Sequence, residues 1–302
     1  MREIASGLCL AIALTAGAAS CTTDEPANDD DGDVENVYWA TNSVADEAGS
    51  THLWIVDRAA DVLGAHLDVS GAAKARAWLT STSCKPRWQQ GLYDADYKAK
   101  YNGGLFDISP TSSTATVIAS GATWAAHFYD PDTGKNYQGN TSPTAKTEAT
   151  AHLTTAKKKL SGGDVYNGCY ELGLALHFFT DLTQPMHASN YTAKDFPIEL
   201  HTNVENDALG LQTGGAPSGF VAPSGKLATF IDAAGHRSKN QWPALESAIA
   251  AAYGARCGNF YTYLQDHPEC WEGDATVSAD LVASMASATN DTAAFLALAQ
   301  LP

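Results

Sequence analysis

Apolar residues recur at helical spacing through much of this 302-residue chain, and no train of alternating apolar and polar positions reads as a set of strands. From Thr51 to His66, the residues Leu53, Ile55, Val56, Ala59, Ala60 and Leu63 form one apolar band, which predicts a helix with His52 in its first turn. A second helix is expected from Ala73 to Leu79, followed by a loop through Cys84-Lys85-Pro86. Thr144 to Leu160 predicts a helix ending in Lys157-Lys158-Lys159, cations that suit a helix C-terminus, before Gly162-Gly163. Tyr166 to Leu182 is so strongly apolar that the helix it predicts should be buried, with a stop near Gln184-Pro185. Leu227 to Ala234, Trp242 to Tyr253 and Ser278 to Leu298 are further helical stretches. Between these, Thr111 to Thr123 reads as a surface insertion, Asp130 to Lys135 as a turn closed by Gly134, and Gly214 to Gly225 as a loop. The expected fold is all-α, a single multi-helix bundle domain.

The N-terminal segment changes how the rest is counted. Residues 1–21 carry Arg2, a short apolar core from Gly7 onward, and the small residues Ala18-Ala19-Ser20 before Cys21, as an export signal does. Cys21 in that position resembles a lipoprotein cleavage site, so lipid attachment there is the alternative fate. Residues 22–38 are Asp-rich and almost free of large apolar groups, which predicts a disordered pro-segment or tether. Residues 39–302 remain as the functional domain. The formal charge is −16, but residues 1–38 hold eight acidic groups and one basic group, leaving −9 for the remainder. That balance disfavours capture of nucleic acid or anionic lipid. No other apolar run approaches the roughly 20 residues of a membrane span, so no transmembrane segment is expected; the export signal implies secretion, and a monomer is expected. Beyond residue 38, Cys84, Cys169, Cys257 and Cys270 suit two disulfides in an exported protein, with three connectivities open and Cys257 to Cys270 the shortest loop.

The candidate chemistry lies between His177 and Glu205. His177, Asp181, His187, His201 and Glu205 are five groups able to bind zinc through imidazole nitrogen or carboxylate oxygen. His177 with Asp181, and His201 with Glu205, are spaced i to i+4, which puts each pair on one face of a helix. Asp181 is the more telling member. A carboxylate in so apolar a helix is costly without a cation or a hydrogen-bond network, and a divalent metal supplies one.

The run His177-Phe178-Phe179-Thr180-Asp181-Leu182-Thr183-Gln184-Pro185-Met186-His187-Ala188-Ser189-Asn190 resembles the signature of the bacterial zinc-dependent phospholipases C, the family that includes the phosphatidylcholine-hydrolysing enzymes and the catalytic half of clostridial alpha-toxins. Phe178 stands where that signature has Tyr, and Thr183 at a slot usually filled by Asn, Asp, Ser or His. Trp39 with His52 thirteen residues on, Gly91-Leu92-Tyr93-Asp94-Ala95-Asp96-Tyr97, and His127-Phe128-Tyr129-Asp130-Pro131 are similar to further segments of the family. The resemblance covers roughly Trp39 to Asp207. It implies three zinc ions per chain: one held by Asp96, His127, His177 and Asp181; one by His187, His201 and Glu205; and one by His52, a bridging Asp181 and the freed α-amino nitrogen and carbonyl of Trp39. The chain would then be cut between Tyr38 and Trp39. The implied activity is metal-assisted hydrolysis of a phospholipid phosphodiester, with Asp96 orienting or deprotonating the attacking water. Asn42, Tyr97 and Trp124 occupy the places that surround the lipid headgroup in the family, and Asn42 replaces a carboxylate there.

Two other functions compete. Zinc-dependent single-strand nucleases of the P1 and S1 type share a three-zinc site and an N-terminal Trp, but place their first His about five residues after it and use a longer gap to a final His-x-x-x-Asp. The thirteen-residue gap and Glu205 of this chain resemble the phospholipase pattern instead. A non-catalytic zinc-stabilised surface protein would need the metals without the chemistry, and the full set of ligands including Asp96 speaks against it.

Overall fold

The computed structural model describes residues 41–212 and 217–302; the export signal with Cys21, the acidic segment 22–38 and Trp39 lie outside the described residues. Among the described residues no strand occurs, only isolated bridges such as Asp130 to Lys135, which closes the expected turn. Ser50 caps helix α1 (Thr51–Ala65) by accepting a hydrogen bond from the Leu53 amide at 3.1 Å. Helix α2 (Ala72–Thr80) follows, and then α3 (Lys85–Tyr97) begins inside the segment expected to be a loop. Pro86 there sits in the first helical turn, where its missing N–H leaves no bond unmade. A short α4 (Ala99–Asn102) leads to the insertion, which contains its own helix α5 (Thr114–Ser120).

Helix α6 (Ala145–Ser161) is fixed at its start by a reciprocal pair: Thr144 accepts from the Thr147 amide, and the Thr147 hydroxyl accepts from the Thr144 amide. Helix α7 (Val165–Leu182) is the axis of the larger core, with Leu172, Leu174, Leu176, Phe178, Phe179 and Leu182 wholly buried. The one-turn α8 (Pro185–Ala188) and α9 (Leu200–Gly210) follow it, and α10 (Leu227–Lys239), α11 (Trp242–Arg256) and α12 (Ala275–Ala299) complete the bundle.

Helices α3 and α6 flank α7. The α3 crossing is unusually close because each helix offers a glycine to the other's backbone. A Cβ on Gly91 of α3 would lie 2.1 Å from the Tyr170 carbonyl oxygen, and one on Gly173 of α7 would lie 2.0 Å from that of Trp88. The disulfide Cys84–Cys169 ties the same two helices together near their starts. A second apolar cluster gathers Leu200, Val204, Trp242, Ile249, Tyr253 and Trp271 around α9 and α11, closed by the disulfide Cys257–Cys270. Of the three connectivities left open by the sequence, this is the one that includes its shortest loop. The loop-closure entropy removed from the unfolded chain is about 4–5 kcal/mol for the longer disulfide and about 3 for the shorter.

Candidate metal centre

Six elements deliver ionisable side chains to one buried spot. His52 comes from the first turn of α1, Asp96 from the end of α3, His127 from a 3₁₀ turn (Ala125–His127), His177 and Asp181 from the last turns of α7, His187 from α8, and His201 with Glu205 from α9. All eight are buried, His201 at 2% exposure and the others at 0%. Asp181 is at the centre. Its Oδ2 lies 2.8 Å from His127 Nδ1 and 3.2 Å from His177 Nε2, and its Oδ1 lies 3.2 Å from His187 Nδ1 and 3.5 Å from His52 Nε2.

Three groups have ligand atoms mutually within 4.8 Å: His127, His177 and Asp181; His187, His201 and Glu205; and His52, Asp96 and His177. The second holds the same three residues as one expected set; the first holds three of the four residues of another, with Asp96 gathering instead with His52 and His177, and His52 also approaches Asp181.

The donor chemistry fits a metal. His177 Nε2 and His127 Nδ1 face each other at 3.1 Å, with Asp96 Oδ1 at 3.4 Å and 3.6 Å from them. The His187 Nδ1–H donates to the His127 carbonyl at 3.1 Å, which leaves Nε2 as the nitrogen turned to the cluster. Nε2 faces Glu205 Oε1 at 3.3 Å, alongside His201 Nε2 at 3.0 Å from the same oxygen. Asp96 Oδ1, Asp181 Oδ1, His187 Nε2 and Glu205 Oε2 are buried polar atoms that accept or donate no hydrogen bond. Such atoms are costly unless a cation receives them.

The protonation pattern states the same demand. Burial opposes charge on His177, but the Asp96 and Asp181 carboxylates outweigh it and push the imidazole up to about 10. Burial likewise opposes charge on His187, and Asp181 and Glu205 push it up to about 10. Asp181 is held well below the usual carboxylate range: burial works against its ionisation, and His177, His127 and His187 overcome it. His52 goes the other way, lowered by burial and by the neighbouring His177. Three carboxylates in a dry pocket draw in positive charge, as protons when no metal is present.

Two groups that the residue spacing did not single out orient these ligands. The Thr180 hydroxyl donates to the Leu176 and His177 carbonyls, so it accepts from His52 Nδ1–H and leaves His52 Nε2 turned to the cluster. Gln184 accepts from the His187 amide at 2.8 Å and donates to Glu205 Oε1 at 3.2 Å, coupling α8 to α9. Asp96 also accepts from the Thr41 hydroxyl through Oδ2. The headgroup candidates lie beside Asp96. Trp124, half-buried, donates its indole N–H to the Asp96 carbonyl at 3.1 Å, and buried Tyr97 donates through its hydroxyl to exposed Asn42 at 3.3 Å. Trp39 falls outside the described residues, so its expected role is not located.

No family profile matches the chain. Among curated proteins it is 31% identical over 183 residues to a phospholipase C of Bacillus cereus, covering 59% of this chain and 56% of that one. It is 30% identical over 170 residues to a phospholipase C of Listeria monocytogenes, covering 56% and 51%. A phospholipase C of Paraclostridium bifermentans shares 37% over 101 residues. The chain spans about half the length of the Bacillus and Listeria relatives. Among solved structures, the alpha toxin of Clostridium absonum superposes with a TM-score of 0.55 at 21% identity, over 84% of this chain and 65% of the toxin. The alpha-toxin of Clostridium perfringens gives 0.51 at 18%, over 83% and 64%. The chain is thus related in sequence to bacterial proteins named phospholipase C, and its all-α fold is shared with alpha-toxins.

Proposed function

We propose that residues 39–302 form a zinc-dependent phospholipase C that hydrolyses the glycerol-side phosphodiester bond of phosphatidylcholine or a related phospholipid. The products are diacylglycerol and a phosphorylated headgroup. The observation that carries this reading is the wholly buried cluster of five histidines and three carboxylates centred on Asp181. Relatives named phospholipase C support the choice of reaction.

Three zinc ions would be held by Asp96, His127, His177 and Asp181; by His187, His201 and Glu205; and by His52 and Asp181 with the N-terminal Trp39. When bound, zinc supplies Lewis acidity, which makes water acidic enough to ionise near neutral pH and stabilises negative charge on a phosphoryl group. Asp96 takes the proton of the attacking water, held in place by Thr41 and by the fixed end of α3. Attack at phosphorus expels the glycerol oxygen. Half-buried Trp124 offers a ring face that attracts a quaternary or primary ammonium, and buried Tyr97 contributes by positioning Asn42 through its hydroxyl. Asn42 adds a neutral acceptor rather than a carboxylate. Secretion follows from the same reading, since the two disulfides suit an oxidising compartment. Among the described residues no helix is long and apolar enough to cross a membrane.

The test is to incubate the purified protein, beginning at Trp39, with phospholipids of different headgroups, identify the released phosphate monoester, and count metal per chain. Release of no phosphorylated headgroup from any lipid, or digestion of denatured DNA instead, overturns the proposal.

A further inference from the structure

The insertion that follows α4 and includes α5 is built unlike the rest of the surface. Residues 103–122 contain one charged side chain, Asp107, in a chain whose formal charge is −16. Asp107 is already occupied at the base of the insertion, accepting from Lys98 Nζ and the Ala99 amide, both at 2.9 Å. Three large apolar side chains stand out into solvent here: Leu105 at 85% exposure, Ile118 at 73% and Phe106 at 43%. The Leu105 amide donates to the Ser120 carbonyl at 2.7 Å, which brings the two limbs of the insertion side by side.

The neck of this insertion rests on the candidate centre. The Asn102 carbonyl accepts from the Thr123 amide at 3.0 Å and the Trp124 amide at 2.8 Å, pinching the segment shut. Asn102 Nδ2 and Trp124 Nε1 both donate to the backbone carbonyl of Asp96, at 2.9 Å and 3.1 Å. Gly103 and Gly121 turn the chain at the two ends with φ of +77° and +64°. An apolar, nearly uncharged tip is therefore carried on a stem hydrogen-bonded to the backbone of Asp96, the residue proposed to take the proton of the attacking water.

We propose that Leu105, Phe106 and Ile118 form an insertion tip that enters the interface of a zwitterionic phospholipid surface and seats the centre over it; this rests on the phospholipase reading. Exposed apolar side chains gain by transfer into the acyl boundary, and the scarcity of charge on the tip removes the desolvation that would oppose it. With no basic cluster on the insertion, it has no electrostatic reason to prefer anionic lipid.

The experiment is co-sedimentation of the full protein with phosphatidylcholine vesicles, comparing the parent with Leu105→Ser/Phe106→Ser/Ile118→Ser. As a surface control, Tyr166→Ser alters an exposed ring eleven residues before His177, roughly 16 Å from it along α7. The triple variant should lose roughly tenfold or more in vesicle partitioning, and the control should partition as the parent does. In parallel, the rate on vesicles divided by the rate on a dispersed short-chain lipid should fall by a similar factor. Failure of the parent to bind vesicles overturns the inference, as does equal binding by the triple variant. So does a parent dimer that the triple substitution dissociates without any change in vesicle binding. Vesicle binding that depends on the tip, with no lipid cleaved, sinks the phospholipase reading and leaves the tip standing.

Discussion

Two buried carboxylates in this molecule solve the same problem in opposite ways. Asp266, in the smaller core, is 5% exposed and accepts hydrogen bonds from Asn203 Nδ2 at 2.9 Å, from Trp271 Nε1 at 3.1 Å and from the Tyr253 hydroxyl. Its partners are neutral donors. Asp181 sits among four imidazoles, and its Oδ1 accepts no hydrogen bond. The contrast separates a carboxylate satisfied by neutral donors from one set among groups that could hold a cation. Burial of a charge is therefore not the mark of a functional group; burial among groups that could themselves bind a metal is.

Asp181→Asn should have the largest effect, because one residue serves two of the three proposed ion positions. Turnover is expected to fall by on the order of 10⁴ or more, and metal content measured on the purified variant should drop by at least one ion per chain. Asp96→Asn should reduce turnover by roughly 10³ while circular dichroism stays that of the parent. Thr180→Val removes the acceptor that orients His52, so affinity for one metal should weaken by about 10–100-fold, visible in a chelator titration as one ion leaving early. Asp266→Asn is the counterpart: about 2 kcal/mol less stable in denaturant, with metal content and turnover unchanged. If Asp266→Asn also loses metal, or Asp181→Asn keeps it, the contrast between the two carboxylates is wrong.

The smallest effect is on melting as a function of pH, and it should have a definite sign. In the metal-free protein His177 and His187 are raised from the ordinary 6.5 to about 10, so their stabilisation is complete below about 6.5 and is lost as pH rises through about 10. Asp181 and Glu205 are lowered from 3.8 and 4.5, so their contribution is present above those values and is lost as pH falls through their depressed range. Metal-free protein should thus melt at falling temperatures from about pH 6.5 toward 10, followed by scanning calorimetry. Metal-bound protein should not show that decline, because the cation takes the place of the protons.

Long helices with a continuous apolar band were legible in the sequence to within a few residues, as α1, α6 and α7 show. Helix α3 was not. Its buried face includes Gln89, Asp94 and Asp96, polar residues that interrupt the apolar period and make sense only once α7 lies against them. Candidate ligands could be picked out because His and carboxylate groups at i, i+4 are uncommon in so apolar a helix. Thr180 could not, since a hydroxyl that acts through a histidine 128 residues away leaves no local spacing to read, and Gln184 reads as a helix cap until Glu205, 21 residues on, is seen to accept from it. Cysteine pairing was open for the same reason: Cys84 and Cys169 meet only through the crossing of their helices.

The reciprocal glycines at that crossing have a bearing on how an ion would arrive. Asp96 lies five residues beyond Gly91, and His177 lies four beyond Gly173, so both stand little more than one helical turn past the close backbone crossing. Their separation is set by main chain and a disulfide rather than by side chains that must swing together. Capture of a cation should therefore be limited by its path through the protein and by departure of the protons, and the apo and filled forms should share one backbone.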